Sequence, residues 1–218
     1  MSIPRTRVEP VQEQLRSEIL SGVLTPGTKL PLAELAARLG TSIGSVREAL
    51  IRLGSEGLVV AAPQLGFRVT PVSEQDLRDL IETRCVLEGE TFRRAIEDGS
   101  LEWESAVTAA YHRLDRTQHD IDGQRNDASW VSSHRQFHEA LIEGCANHRL
   151  IVVTMQLRDA AELYRSSSVG AMSPEQSAQR DREHFALRNA ALTRDALGGP
   201  EILREHIRMT AHYFNLAL

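Results

Sequence analysis

The sequence predicts a mainly α-helical chain in two parts: a small three-helix unit closed by a β-hairpin, then a larger all-α bundle. Three observations predict it. Up to Thr70, short helical periodicities alternate with glycine and proline turns and end in two apolar runs, "LVVA" and "FRVT". These flank Pro63-Gln64-Leu65-Gly66 as strands flank a hairpin turn. After Pro71 the strand signals vanish, and long stretches of helical periodicity run to the C-terminus. All eight histidines lie beyond residue 110, so the second part carries side-chain chemistry that the first lacks.

Each element has its own signal. Val11, Leu15, Ile19 and Leu20 recur at helical spacing from Glu9 to Ser21, and Gly22 stops that helix. "LTPGTKLP" is a turn around Pro26-Gly27. Leu32, Leu35, Ala36 and Leu39 give a short second helix ended by Gly40. Ser42 caps a third, in which Val46, Leu50 and Leu53 face inward until Gly57. Three helices and a hairpin in this order predict a winged helix-turn-helix over residues 1–72. Ser73, with Asp76 three residues on, opens a long helix. Periodic stretches then cover 74–98, 101–120, 128–145, 149–167, 175–196 and 200–216. Breaks fall at Gly99, Asp122-Gly123, Asn147, Pro174 and Gly198-Gly199-Pro200. Six such helices predict an all-α bundle over 73–218.

Composition narrows the function. Hydrophobic content of 41% with 25% charged residues is that of a soluble globular protein. No run of eighteen apolar residues exists, so a membrane partner is excluded, and "MSIPRTRVEP" lacks the apolar core of a secretory signal. Cys85 and Cys145 stand in no ligand spacing and read as buried thiols of a cytoplasmic protein. Residues 1–72 hold eight Lys+Arg against six Asp+Glu, whereas the remainder holds 17 against 24. A mildly basic front and an acidic back suit a protein that meets double-stranded DNA with one end only.

A recognition helix puts its first residues against base edges in the major groove. Here those are Ser42, Ile43, Gly44, Ser45 and Arg47, and Arg47 has the reach for guanine or phosphate. "TSIGSVREALIRLGSEGLV" resembles the signature of the GntR family of bacterial repressors, commonly V-S-R-T-P-V-R-E-A-L followed by G-L-V. "SVREAL", the "GLV" exit and the wing strand "GFRVT", which starts at Gly66, all match. Three positions depart from it. Ile43 stands where the family has arginine, Gly44 where it has threonine, and Ala33 where it often has arginine. The scaffold is intact, and the operator it reads is not the family's commonest one. Ile43 suits a thymine methyl, and Gly44 a close backbone approach. One short helix reads few bases, so a homodimer on a pseudo-palindromic operator is expected.

His134 and His138, four apart in "SHRQFHEAL", share one helix face, as do many partly buried pairs that bind nothing. His184 and His206 lie on the last two helices, which antiparallel packing brings level. The helical part resembles the FCD ligand-binding domain of FadR-type regulators. Its metal-binding members carry Asp-x-x-x-His on one helix and one further histidine on each of two later helices. The resemblance implies His138, His184 and His206 as ligands, with His134 in the aspartate's place. His112, His119, His148 and His212 match nothing. An all-imidazole set leaves a divalent ion its full charge and suits zinc first, with nickel as the alternative. Open positions on such an ion suit a small carboxylate effector. Arg84 matches an arginine that these domains aim at the pocket; an ion pair with Glu82 or Glu88 is its other reading. Two rivals to a ligand-responsive regulator stand: a metal-dependent hydrolase with a DNA-binding module, and a regulator whose bundle only dimerises. The first has no H-E-x-x-H frame, nucleophile motif or phosphate loop to support it.

Overall fold

The computed structural model describes residues 8–62, 66–119, 128–167 and 173–213. The chain divides into two compact units, Met1–Ser73 with Asp159–Ser168, and Glu74–Arg158 with Val169–Leu218.

In the first unit, α1 (Val8–Leu20), α2 (Leu32–Arg38) and α3 (Ile43–Ser55) pack on a three-stranded antiparallel sheet. Its strands are β1 (Lys29–Leu30), β2 (Val59–Ala62) and β3 (Gly66–Val69), in the order β1-β3-β2. Val59 pairs with Val69 and Ala62 with Gly66, as the hairpin reading requires; Pro63, Gln64 and Leu65 at its tip lie outside the described residues. The two-residue strand β1 is too short to leave a period and was not legible in sequence. Leu15, Ile19, Leu50, Leu53, Leu58 and Val69 are fully buried and form the core. Gly40, between α2 and α3, takes φ +59°, a left-handed turn that glycine adopts without steric cost.

The sequence division at residue 72 assigns the last turns of the seventh helix to the bundle, whereas the structure groups them with the first unit. Leu163 is buried in that unit's core, and Asp159 accepts a hydrogen bond from Arg16 at 2.6 Å. Partners 143 residues apart leave no trace in a local pattern.

The second unit is helical: α4 (Glu74–Asp98), α5 (Leu101–His119), α6 (Ala128–Glu143), the part of α7 (His148–Ser167) up to Arg158, α8 (Pro174–Leu192) and α9 (Gly198–Tyr213). The expected breaks at Pro174 and Gly198-Gly199-Pro200 are instead helix starts. Pro174 sits in the first turn of α8, where no N–H is needed, behind a capping box of Ser173 and Gln176. The Asp195 carboxylate accepts from Gly198 N at 2.8 Å and starts α9 at the glycines. Asn147 likewise caps α7 through Arg149 N and Leu150 N. Phe92, Phe137, Leu114 and Leu141 fill the core, and Trp103 Nε1 donates to the Ala140 carbonyl at 2.8 Å. Both cysteines are free and buried, as expected. The Asp122-Gly123 break lies outside the described residues.

Candidate metal centre and nucleic-acid interface

The candidate nucleic-acid surface is the start of α3. Ser42 takes an extended conformation and its hydroxyl accepts from Ser45 N at 3.0 Å, satisfying one of the unpaired amides of the first turn. The two hydroxyls, Ser42 Oγ and Ser45 Oγ, are 2.9 Å apart. Val46, Ala49, Leu50 and Leu53 anchor the buried face of α3, while Ile43, Gly44 and Arg47 near its start are exposed. Ile43 and Arg47 are four residues apart and so share a face. Arg52, further along, is held by Glu48 at 2.5 Å. Gly66 opens β3 with φ +81° and is exposed.

In the second unit α6, α8 and α9 bring the four histidines together. His134 and His138 stand one turn apart on α6, His184 on α8 and His206 on α9. One ring nitrogen of each lies within 4.8 Å of the others. The rings of His134 and His138 are 4.6 Å apart by centroid, and those of His184 and His206 are 4.9 Å apart. His138, His184 and His206 are buried, and His134 is half-buried.

Both ring nitrogens of His138 and both of His184 are buried without a hydrogen bond. Each unpaired buried polar atom costs ~1–3 kcal/mol. A cation at this place would ligate one nitrogen of each ring, so the donor set fits a transition-metal ion. Electrostatics agree, because ligation needs neutral imidazole. Burial, then Arg158 and the neighbouring rings, holds His138 well below the usual imidazole range. Burial, then His206, Arg180 and Arg158, does the same for His184. His206 is lowered chiefly by burial, against the raising hydrogen bond to Glu183. That bond joins His206 Nδ1 to Glu183 Oε2 at 2.8 Å. An ionised carboxylate only accepts, so Nδ1 carries the proton and Nε2 keeps its lone pair.

Charged and aromatic side chains surround the cluster. Arg84 Nε donates to Glu88 Oε1 at 2.5 Å, and Arg158 Nη1 donates to Glu88 Oε2 at 2.7 Å. All three are buried, so the ion-pair alternative for Arg84 is realised with Glu88, inside the bundle and not at its surface. The bond uses Nε and leaves the Nη atoms of Arg84 outside it. Trp130 stacks on His134 with 4.7 Å between centroids, and the Arg180 guanidinium lies 4.4 Å above the Trp130 ring. Glu88 was visible four residues after Arg84. Arg158, Arg180 and Trp130 carried no sequence signal, and Glu183 only its place beside His184. Of the unmatched histidines, His112 and His148 are exposed, and the side chains of His119 and His212 lie outside the described residues. No described helix is long and apolar enough to cross a membrane.

Two family models match the chain, one in each part. Residues 7–69 match the bacterial regulatory proteins of the gntR family, and residues 79–209 match the FCD domain. The chain is 39% identical over 211 residues to the uncharacterized HTH-type transcriptional regulator BphR of Paraburkholderia xenovorans, spanning 93% of this chain and 83% of that one. It is 32% identical over 195 residues to the HTH-type transcriptional repressor GlaR of Escherichia coli, spanning 88% of this chain and 89% of that one. The solved structure of E. coli McbR/YncC shares the fold, with a TM-score of 0.83 over 96% of this chain and 97% of that one at 23% identity. Family and relatives are transcriptional regulators, which removes the hydrolase reading. The chain belongs to the GntR family of bacterial transcriptional regulators, with an FCD domain after its helix-turn-helix, and it is a DNA-binding regulator and not an enzyme.

Proposed function

We propose that the protein is a metal-dependent sensor of a small carboxylate, acting in the bacterial cytoplasm as a homodimer on operator DNA. Residues 1–72 read the DNA through Ser42, Ile43, Gly44, Ser45 and Arg47 of α3 and through the wing at Gly66. Residues 73–218 sense the effector and supply most of the dimer contact.

The observation that carries the sensor reading is the ring of His134, His138, His184 and His206 with unsatisfied nitrogens on two of its members. Imidazole donors favour zinc, with nickel as the alternative. A bound divalent ion would supply Lewis-acid attraction for one carboxylate oxygen. Glu183 orients His206, and Trp130 packs on His134, so both fix ligand rings before any ion arrives. Arg84 and Arg158 place two guanidinium groups about Glu88 in the same unit, and a planar guanidinium suits an anionic guest.

The test combines metal analysis of purified protein with a thermal-shift screen of small carboxylates, before and after chelation. Effector binding raises stability by ~2.7 kcal/mol at 100 times the dissociation constant. Metal near one per protomer and a carboxylate shift that chelator abolishes support the reading. Protein without metal and without any shift leaves the bundle as a dimerisation unit.

A further inference from the structure

We infer that Ile43 is a specificity-determining residue that recognises a thymine methyl group, and that Gly44 is glycine to let it do so. The inference rests on the reading of α3 as the recognition helix and assigns one base of the half-site to one side chain. Ile43 is the first residue of α3 and 50% exposed. It belongs to no core: it opens the helix ahead of Val46, Ala49, Leu50 and Leu53, which do the anchoring. The two nearby hydroxyls also do local work, since Ser42 caps the helix and its Oγ lies 2.9 Å from Ser45 Oγ. An apolar, β-branched side chain therefore leads the helix, with Arg47 one turn behind on the same face.

Gly44 gives the independent observation. Its φ is not in the left-handed region, and a Cβ built on it would meet only Ser42 Oγ, at 3.7 Å, an ordinary contact. The fold does not need glycine here, and glycine in a helix is disfavoured relative to alanine. What a missing Cβ provides is room beside Ile43 for a surface outside the chain to come close. In the major groove every hydrogen-bonding edge would be left unsatisfied by isoleucine. The C5-methyl of thymine is the one apolar feature among the four bases. Ile43 and that methyl group are matched in chemistry and in the approach they need.

The experiment uses the full-length protein. Bound duplexes are selected from a random pool, and each thymine of the resulting site is replaced by deoxyuridine, which removes the methyl and keeps the pairing. One thymine per half-site should lose about fourfold in affinity, equivalent to the ~0.8 kcal/mol of one buried methyl group. Ile43→Ala should bind thymine and uracil duplexes alike. Its thermal midpoint should stay at the wild-type value, because the residue lies outside the core. Gly44→Ala should weaken binding to every selected duplex without lowering the thermal midpoint. Selection of no sequence at all would defeat the DNA-reading assignment of α3 itself. A selected site whose uracil forms bind the wild type equally well overturns the Ile43 inference alone, as does a uracil effect that Ile43→Ala retains. Wild-type affinity in Gly44→Ala overturns the role given to the glycine.

Discussion

Arg47 is the exposed cation on the face of α3 that also presents Ile43. Replacing it with alanine should cost ~1–3 kcal/mol in operator affinity with relaxed preference at one base pair if it reads guanine. If it binds phosphate, the loss should be even across sequences and the salt slope shallower. Mobility shifts at several salt concentrations separate the two, and unchanged affinity would mean that α3 docks otherwise. At the other end, His184→Ala and His206→Ala should each lower metal per protomer and remove the chelator-sensitive carboxylate shift. His134→Asp should keep the ion, since a carboxylate oxygen is also a ligand, while lowering the site charge by one and weakening an anionic effector. Full occupancy in both alanine variants would show that the four rings do not share an ion.

At the scale of elements, α4 and α7 are tied by Glu88, which accepts from Arg84 on its own helix and from Arg158 across the bundle. Burial alone would raise the Glu88 pKa, but the charges and hydrogen bonds of the two arginines outweigh it and leave it below the usual 4.5. A depressed folded pKa means that the ionised carboxylate stabilises the fold above the unfolded pKa. That stabilisation is lost as pH falls through the folded value. Glu88→Gln removes the carboxylate charge that Glu88 supplies to two buried guanidinium groups and should cost ~3–5 kcal/mol near neutral pH. The gap between variant and wild type should narrow as pH drops below 4.5. Urea midpoints at pH 7 and below pH 4 measure both, and a gap independent of pH would contradict the ionised triad. The cap of α8 is a smaller lever. Ser173 accepts from Gln176 N at 3.2 Å, so Ser173→Ala should cost ~1 kcal/mol in chemical denaturation.

For the whole molecule the expectation is a dimer. A recognition helix reaches base edges with three or four side chains, too few for a useful operator, and two copies on a pseudo-palindrome double that number. Light scattering should give twice the 24.3 kDa chain mass at micromolar concentration. A monomer with and without DNA would count against both the dimer and the helical part as its interface.

The sequence alone determined what is local. Helical periods, the Ser42 cap, the hairpin strands, the Arg84–Glu88 spacing and the His134–His138 pair are all set by neighbours within a turn or two. Residues that repeat every three or four positions, or every second one, announce their own element. The resemblance to known regulators added His184 and His206 to the candidate ligands, and the folded chain brings these residues to within contact of the α6 pair. Proline and glycine misled where they open helices, because a helix start and a break share the same residues. Only the tertiary structure decided that Arg158 would meet Glu88 across 70 residues, that Asp159 would meet Arg16, and that Arg84 would be buried in its ion pair. Such pairings follow from which helix faces pack together. That choice is made by the whole apolar pattern at once, and no single window of the chain records it.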